Sequence, residues 1–234
     1  MKIMIDAGHG YETAGKRTVD GMKEYQFNRA VANEMKRLLK NYQQVTCLFS
    51  HSDKEDIPLK NRVAQANQTN ADLFISIHAN AHGNGKQWTS SSGIETYVYT
   101  SKPKKAYELA LLVQEELIRK TARKDRGVKT ANFFVLKETV MTAILCECGF
   151  MTNQLEANLL RTAAYQMTCA EAIVDAIASY YHLESRKKEN QPANLEVFFK
   201  VQTGAFKNRK NAEKLVRDLK QNGYEAIIVA SKQE

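Results

Sequence analysis

Short apolar runs of strand character alternate with stretches of helical periodicity from Met1 to His182, and that alternation narrows the fold more than any other feature of the chain. Lys2 to Asp6 is a short apolar strand. Phe27, Val31, Met35, Leu38 and Leu39 recur at helical spacing and predict an amphipathic helix from Glu24 to Lys40. Gln44 to Phe49 reads as a strand, and Pro58 stands where a first helical residue belongs, with Leu59, Val63 and Ala66 continuing that face. Leu73 to Ile77 and Ile94 to Tyr99 are β-rich runs separated from Ala143 to Cys148 by a helix near Pro103 to Lys120, whose inward face is Leu109, Val113 and Leu117. Phe133 to Leu136 reads as a further short buried strand. Asn153 is placed to cap a helical tail that continues, with a break near Arg161, to His182. The expectation is an α/β fold: a mostly parallel sheet with helices on both faces, plus a small C-terminal β-α-β module.

The break between the two lies at residues 184–194, which hold no large apolar side chain and read as a linker. Residues 1–183 are then the main domain and residues 195–234 the second, a division that suits a chain of 234 residues. No stretch approaches the ~18 consecutive apolar residues of a membrane span, so membrane insertion is not expected. Asp6 follows only five residues, short of the ~7–15-residue apolar core of a signal peptide, so synthesis in a cytoplasm without a signal peptide is expected. Four cysteines in a chain this long do not make a disulfide scaffold. The net charge of +8 suits a polyanionic partner, but the basic residues are scattered and no compact run interleaves with aromatics, so nucleic acid is not expected.

Five histidines are present, and two of them lie just past the carboxyl end of a predicted strand. His9 follows the first strand in Asp6-Ala7-Gly8-His9-Gly10, and His78 follows Leu73–Ile77. In open α/β sheets that edge is where ligands bind, so both rings can converge on one cleft. A hydrolytic zinc ion needs three protein ligands and an open position, and two histidines with one carboxylate are a common set. Glu24, at the start of the first helix, is the best third candidate; the competing role is to complement the positive end of the helix dipole. Glu147 is a charge inside the buried run Ile144-Leu145-Cys146-Glu147-Cys148, which is costly unless it is paired or sits at a site. Because strand side chains alternate, Cys146 and Cys148 go to the core when Glu147 faces the cleft, where a general base beside a metal is wanted.

Other features carry less. Gly10 to Lys16 fits the phosphate-cradling spacing G-x-x-x-x-G-K, but Arg17 replaces the hydroxyl that would hold magnesium and Glu12 would repel phosphate. His51 lies in a polar loop, His182 ends a helix, and His82 sits in a Gly-rich loop near His78, within reach of a substrate.

Taken in order, these residues resemble the zinc-dependent N-acetylmuramoyl-L-alanine amidases of the amidase-3 type, found among bacterial autolysins and phage endolysins. The resemblance spans residues 1 to about 182. It runs through Asp6–Gly10, then Glu24 with Phe27-Asn28, then Leu59, Arg62, Ala66 and Asn67 ahead of Asp72–Asn80, then Gly93–Thr96 and Glu147–Asn153. It implies that His9, Glu24 and His78 bind Zn2+ and that Glu147 is the catalytic acid/base. The implied reaction is hydrolysis of the amide joining N-acetylmuramic acid to L-alanine in peptidoglycan. Asn80, Arg62 and His82 are candidate substrate-binding residues within the same motifs.

The segment Glu196 to Val229 resembles a sporulation-related (SPOR) peptidoglycan-binding repeat, with the signature Phe199-Lys200-Val201-Gln202-Thr203-Gly204-Ala205-Phe206. Asn208 is placed to cap a helix with the face Ala212, Leu215, Val216 and Leu219, ahead of a strand from Tyr224 to Val229. That is one β-α-β unit where the family's fold has two, and a unit of ~40 residues buries little core. Pairing of two chains through this half-module, as a homodimer, is the expectation. Residues 184–234 carry 11 Lys+Arg against 7 Asp+Glu, a net +4 that suits an anionic wall. The resemblance also implies action on the cell wall after release, through a phage-encoded (holin-type) membrane hole or by lysis of a mother cell, with a phage endolysin as the first reading.

Overall fold

The computed structural model describes residues 1–13, 17–186, 204–224, 226 and 228. Residues 187–194 of the expected linker, the stretch Phe199–Thr203 of the C-terminal signature, part of the strand expected at Tyr224–Val229, and Ala14–Lys16 lie outside the described residues. The chain divides into two units, Met1–Lys187 and Lys188–Glu234.

In the first unit six strands form one sheet: β1 (Lys2–Ala7), β2 (Thr46–Phe49), β3 (Leu73–Asn80), β4 (Ile94–Tyr99), β5 (Asp125–Ala131) and β6 (Thr142–Phe150), in the spatial order β2-β1-β3-β6-β4-β5. The β2–β1, β1–β3, β3–β6 and β4–β5 neighbours run parallel. The β4–β6 pair is antiparallel, so the sheet is mixed although mostly parallel. That reversal matters for the site: it brings the start of β4 and of β5 to the same edge as the carboxyl ends of β1, β3 and β6.

Period-2 alternation sorts the strand residues between two cores. Ile3, Ile5, Ile75, Ile77, Ile144 and Cys146 pack under α1 (Glu24–Leu39), α3 (Lys104–Thr121) and α6 (Ala163–Tyr180). Met4, Phe74 and Leu145 face the other way, against Val63 and Ala66 of α2 (Leu59–Gln68) and Val135 and Leu136 of α4 (Phe134–Lys137). Burying each such aliphatic or aromatic side chain contributes roughly 1.5–3 kcal/mol, and both faces of the central strands need it, which is why they read as continuous apolar runs.

The short run expected as a strand at Phe133 to Leu136 is the helix α4. Its adjacent residues Val135 and Leu136 are both buried while Phe133 and Phe134 are 39% and 41% exposed, a pattern one helical turn can meet and a strand cannot. β5, Asp-Arg-Gly-Val-Lys-Thr-Ala, escapes the apolar pattern because it is an edge strand, half exposed and paired only with β4. The helical tail breaks where expected: Asn153 Oδ1 accepts from the Glu156 N–H at 3.1 Å and opens α5 (Gln154–Leu160), and Thr162 Oγ1 accepts from the Tyr165 N–H at 3.2 Å and opens α6.

In the second unit, α7 (Arg209–Gln221) is capped by Asn208, whose Oδ1 accepts from the Lys210 N–H at 2.9 Å. Its apolar stripe of Ala212, Leu215, Val216 and Leu219 is only half-buried, and no residue of the helix is fully buried. Among the described residues no helix is long and apolar enough to cross a membrane.

Candidate active site

The turn after β1 is fixed from below. Asp6 is buried and its carboxylate accepts from Ser50 Oγ at 2.6 Å, Ser76 Oγ at 2.6 Å and Arg62 Nη1 at 2.8 Å. Burial alone would raise its pKa, but the Arg62 charge and these three hydrogen bonds outweigh that and hold the carboxyl below its usual range. Arg62 also donates to the carbonyls of Ala7 at 2.6 Å and Ile57 at 2.8 Å, and to that of His9. Arg62 is 2% exposed, so the expectation that it touches substrate gives way: its guanidinium is the internal brace of the His9 loop.

His9 takes φ of 65°, left-handed for a residue with a Cβ, a conformation that costs roughly 1–2 kcal/mol and persists only when its surroundings impose it. The flanking glycines leave space. A Cβ on Gly8 would lie 2.1 Å from His78 Cε1, and one on Gly10 would lie 1.8 Å from Asp56 Oδ1. On the other side of the turn, the Ala7 N–H donates to His51 Nδ1 at 3.0 Å. Burial pushes the His51 pKa down to about 4, which keeps that ring nitrogen an acceptor. The sequence shows this second brace only as a polar loop residue, because nothing local in Ser50–Asp56 marks the ring as packing on Phe49, with centroids 4.5 Å apart.

His9, Glu24 and His78 come together, each offering a ligand atom within 4.8 Å of the others, and could hold a metal ion. His9 Nε2 is 3.2 Å from Glu24 Oε2, and His78 Nδ1 is 2.9 Å from Glu24 Oε1. The two rings meet edge to face at 4.9 Å. Two imidazoles and one carboxylate are zinc-type donors, and bonds of ~2.0–2.2 Å to one tetrahedral ion put donor atoms a little over ~3 Å apart, so the set fits. Glu24 sits on the first turn of α1 and is held by the Ala79 N–H at 3.1 Å and Asn28 Nδ2 at 3.2 Å, so its position does more than complement the helix dipole. Burial opposes its charge, yet the hydrogen bonds from His78 and His9 prevail and hold it well below the carboxylate range. Burial likewise opposes a charge on His78, and the Glu24 hydrogen bond and charge outweigh it, holding that pKa up at about 9.

Glu147 is the register partner of His78 on the adjacent parallel strand, and its charge acts on that ring. Cys146 and Cys148 are fully buried in the main core, so Glu147 faces away from them. Its partner on the other side is Glu95 of β4, which is 2% exposed. Glu95 Oε1 accepts from Asn80 Nδ2 at 2.6 Å and Tyr97 Oη at 2.7 Å, while Oε2 accepts from Arg126 Nε at 2.7 Å and from Lys129 Nζ. Asn80 thus lies beside the cleft with its amide on Glu95. His82 is exposed, and its N–H donates to Thr152 Oγ1 at 2.9 Å. Glu95, a carboxylate inside the apolar run Ile94–Tyr99, carries in the sequence the same signal that singles out Glu147. Glu156, also buried, accepts from the Gly93 N–H at 2.9 Å and the Phe150 N–H at 2.8 Å, and so ties the start of β4 to the end of β6.

Comparison with known proteins identifies the family. Residues 3–179 match the family model Amidase_3, N-acetylmuramoyl-L-alanine amidase, and residues 196–234 match the SPOR domain model. The chain is 32% identical over 230 residues to the N-acetylmuramoyl-L-alanine amidase CwlM of Bacillus licheniformis, covering 98% of this chain and 85% of that protein. It is 32% identical to the sporulation-specific N-acetylmuramoyl-L-alanine amidase of Bacillus subtilis, covering 98% of this chain and 84% of that one. An endolysin of Bacillus phage SPP1 is 31% identical, over 82% of this chain and 72% of the endolysin. Among solved structures, an N-acetylmuramoyl-L-alanine amidase of Clostridium difficile superposes with a TM-score of 0.73 at 34% identity, over 77% of this chain and 96% of that one. The catalytic domain of CwlV from Bacillus (Paenibacillus) polymyxa superposes with a TM-score of 0.72 at 32% identity, over 78% of this chain and 99% of that one. The chain belongs to the N-acetylmuramoyl-L-alanine amidase family.

Proposed function

We propose that this cell-wall amidase holds one zinc ion on His9, Glu24 and His78, and hydrolyses the amide between the lactyl group of N-acetylmuramic acid and L-alanine with Glu147 as acid and base. The placement of Glu147 beside His78, one strand from the triad, carries the reading. Zinc at such a centre supplies Lewis acidity to a water and to the scissile carbonyl. Glu147 accepts the proton that the attacking water loses, then returns it to the departing amine of L-alanine. Glu24 keeps both rings oriented, and Arg62 and His51 keep His9 turned toward it. Asn80, beside the cleft, and the exposed His82 are the substrate contacts we retain.

The SPOR match at residues 196–234 supports wall binding by the second unit, and the thin apolar stripe of α7 supports pairing of two copies as a homodimer. Residues 1–183 then act on peptidoglycan while residues 195–234 hold the wall. We further propose synthesis in the cytoplasm and later release onto the wall, with the sporulation-specific and endolysin relatives each offering a route.

Zinc analysis of the purified protein, together with a chromatogram of its muropeptide products, tests the reaction. About one zinc per chain and new N-terminal L-alanine without new reducing sugar is the expected result. Release of acetate or of a D-amino acid would assign a different amide.

A further inference from the structure

The row that starts at the metal set does not end at Glu147. His78, Glu147 and Glu95 are partners across β3, β6 and β4, and Arg126 of β5 continues the row. The register there is irregular: Ile94 pairs with Asp125 and Thr96 with Val128, so Arg126 and Gly127 together face Glu95. Such a bulge re-aims a side chain, and Gly127, at φ of 76°, allows it. The guanidinium is held on two sides, with Nε on Glu95 at 2.7 Å and Cζ 4.9 Å from the Phe150 ring centroid. Lys129 reaches the same Glu95 oxygen. The side chains of Arg126 and Lys129 nevertheless remain 28% and 37% exposed, against 3% for that of Glu95. Two cations share one carboxylate, so one positive charge stays unbalanced within this trio at the cleft edge.

Direction along the row follows from the chemistry. Glu147 must reach the departing amine, so the peptide leaves on its side of the metal set, toward β4 and β5. Strand spacing of ~4.8 Å puts Arg126 roughly 10 Å from Glu147 at the backbone. Two extended peptide residues cover ~7 Å, and the arginine side chain spans the rest.

We propose that Arg126, with Lys129 beside it, is the subsite for a carboxylate on the stem-peptide residue that follows L-alanine. A rigid, always-charged fork is the group suited to a carboxylate, and Glu95 is the brace that fixes it. The subsite rests on the amidase reading above.

Two muropeptides that differ only in whether the α-carboxylate of the second stem residue is free or a carboxamide test it, using the full chain loaded with zinc. Wild type cleaves the free acid with a kcat/KM roughly tenfold or more above that of the amide, and Arg126→Gln brings the ratio to within about twofold. Lys129→Gln narrows the ratio partway, and carries the test if Arg126→Gln does not fold. Equal rates on both substrates in wild type, or an unchanged ratio in a folded, zinc-replete variant, overturn the subsite while leaving the amidase standing. Wild type that cleaves neither substrate overturns both.

Discussion

His78 on β3 and Glu147 on β6 are register partners on neighbouring parallel strands, so a candidate metal ligand and a candidate proton carrier lie one strand spacing apart by backbone hydrogen bonding alone. The separation needs no loop to maintain it. A pair set on rigid strands at the carboxyl edge of a sheet keeps its spacing whatever the surrounding loops do, whereas His9 depends on the braced turn after β1.

Glu147→Gln keeps the size of the side chain and removes its capacity to take a proton. Turnover of muropeptides should fall by roughly 10²–10⁴-fold, with zinc content and thermal midpoint close to wild type. Wild-type rates from this variant would remove Glu147 from the mechanism.

Zinc uptake should expel a proton. In the metal-free protein the His78 pKa is held up at about 9, above its ordinary 6.5, so near pH 7 the ring is charged against Glu24. Its pairing stabilises the apo fold fully below the unfolded value and is lost as pH rises through about 9. Metal ligation requires the neutral ring, so apparent zinc affinity should climb with pH up to that point, with about one proton released per ion at pH 7. Calorimetry in buffers of different ionisation enthalpy measures this directly, and a proton count of zero contradicts it.

Arg62→Ala should cost about 3–5 kcal/mol of stability, because it strands the buried Asp6 carboxylate, and should also weaken zinc binding through the released His9 loop. Urea unfolding reads the first effect and competition with a chromophoric chelator reads the second. A loss of muropeptide affinity with stability and metal affinity intact would instead return Arg62 to the substrate.

Gly8→Ala tests the packing of the His9 turn against His78 of β3. The added methyl meets the His78 ring at 2.1 Å, so the turn or the ring must move. Metal affinity should fall roughly 10–100-fold or more, as when the support of a ligand is lost, while the helical circular dichroism signal is retained. Unchanged affinity would mean that the Gly8 turn has slack.

Much of the site was legible because its chemistry conflicts with its neighbourhood. Histidines near the carboxyl ends of two strands, His9 just past β1 and His78 within the last residues of β3, and a glutamate inside Ile-Leu-Cys-Glu-Cys stand out against apolar runs, and period-2 alternation already sends the cysteines inward. The bracing contacts of Arg62 and His51 are illegible for the opposite reason. Both are polar residues in polar surroundings along the chain, and only the fold brings them against Asp6 and the Ala7 N–H, 56 and 44 residues away.

The sequence by itself determined most of the order of strands and helices (β5 and α4 excepted), the two-sided burial of the central strands, and the residue types that gather at the carboxyl edge, since these follow from local periodicity and the cost of burying charge. Only the tertiary structure decided that β4 runs against β6, that the bulge in β5 turns Arg126 onto Glu95, and that Arg62 is a brace. Strand direction and register are set by contacts between segments far apart in the chain, and no local pattern of side chains encodes a partner that distant.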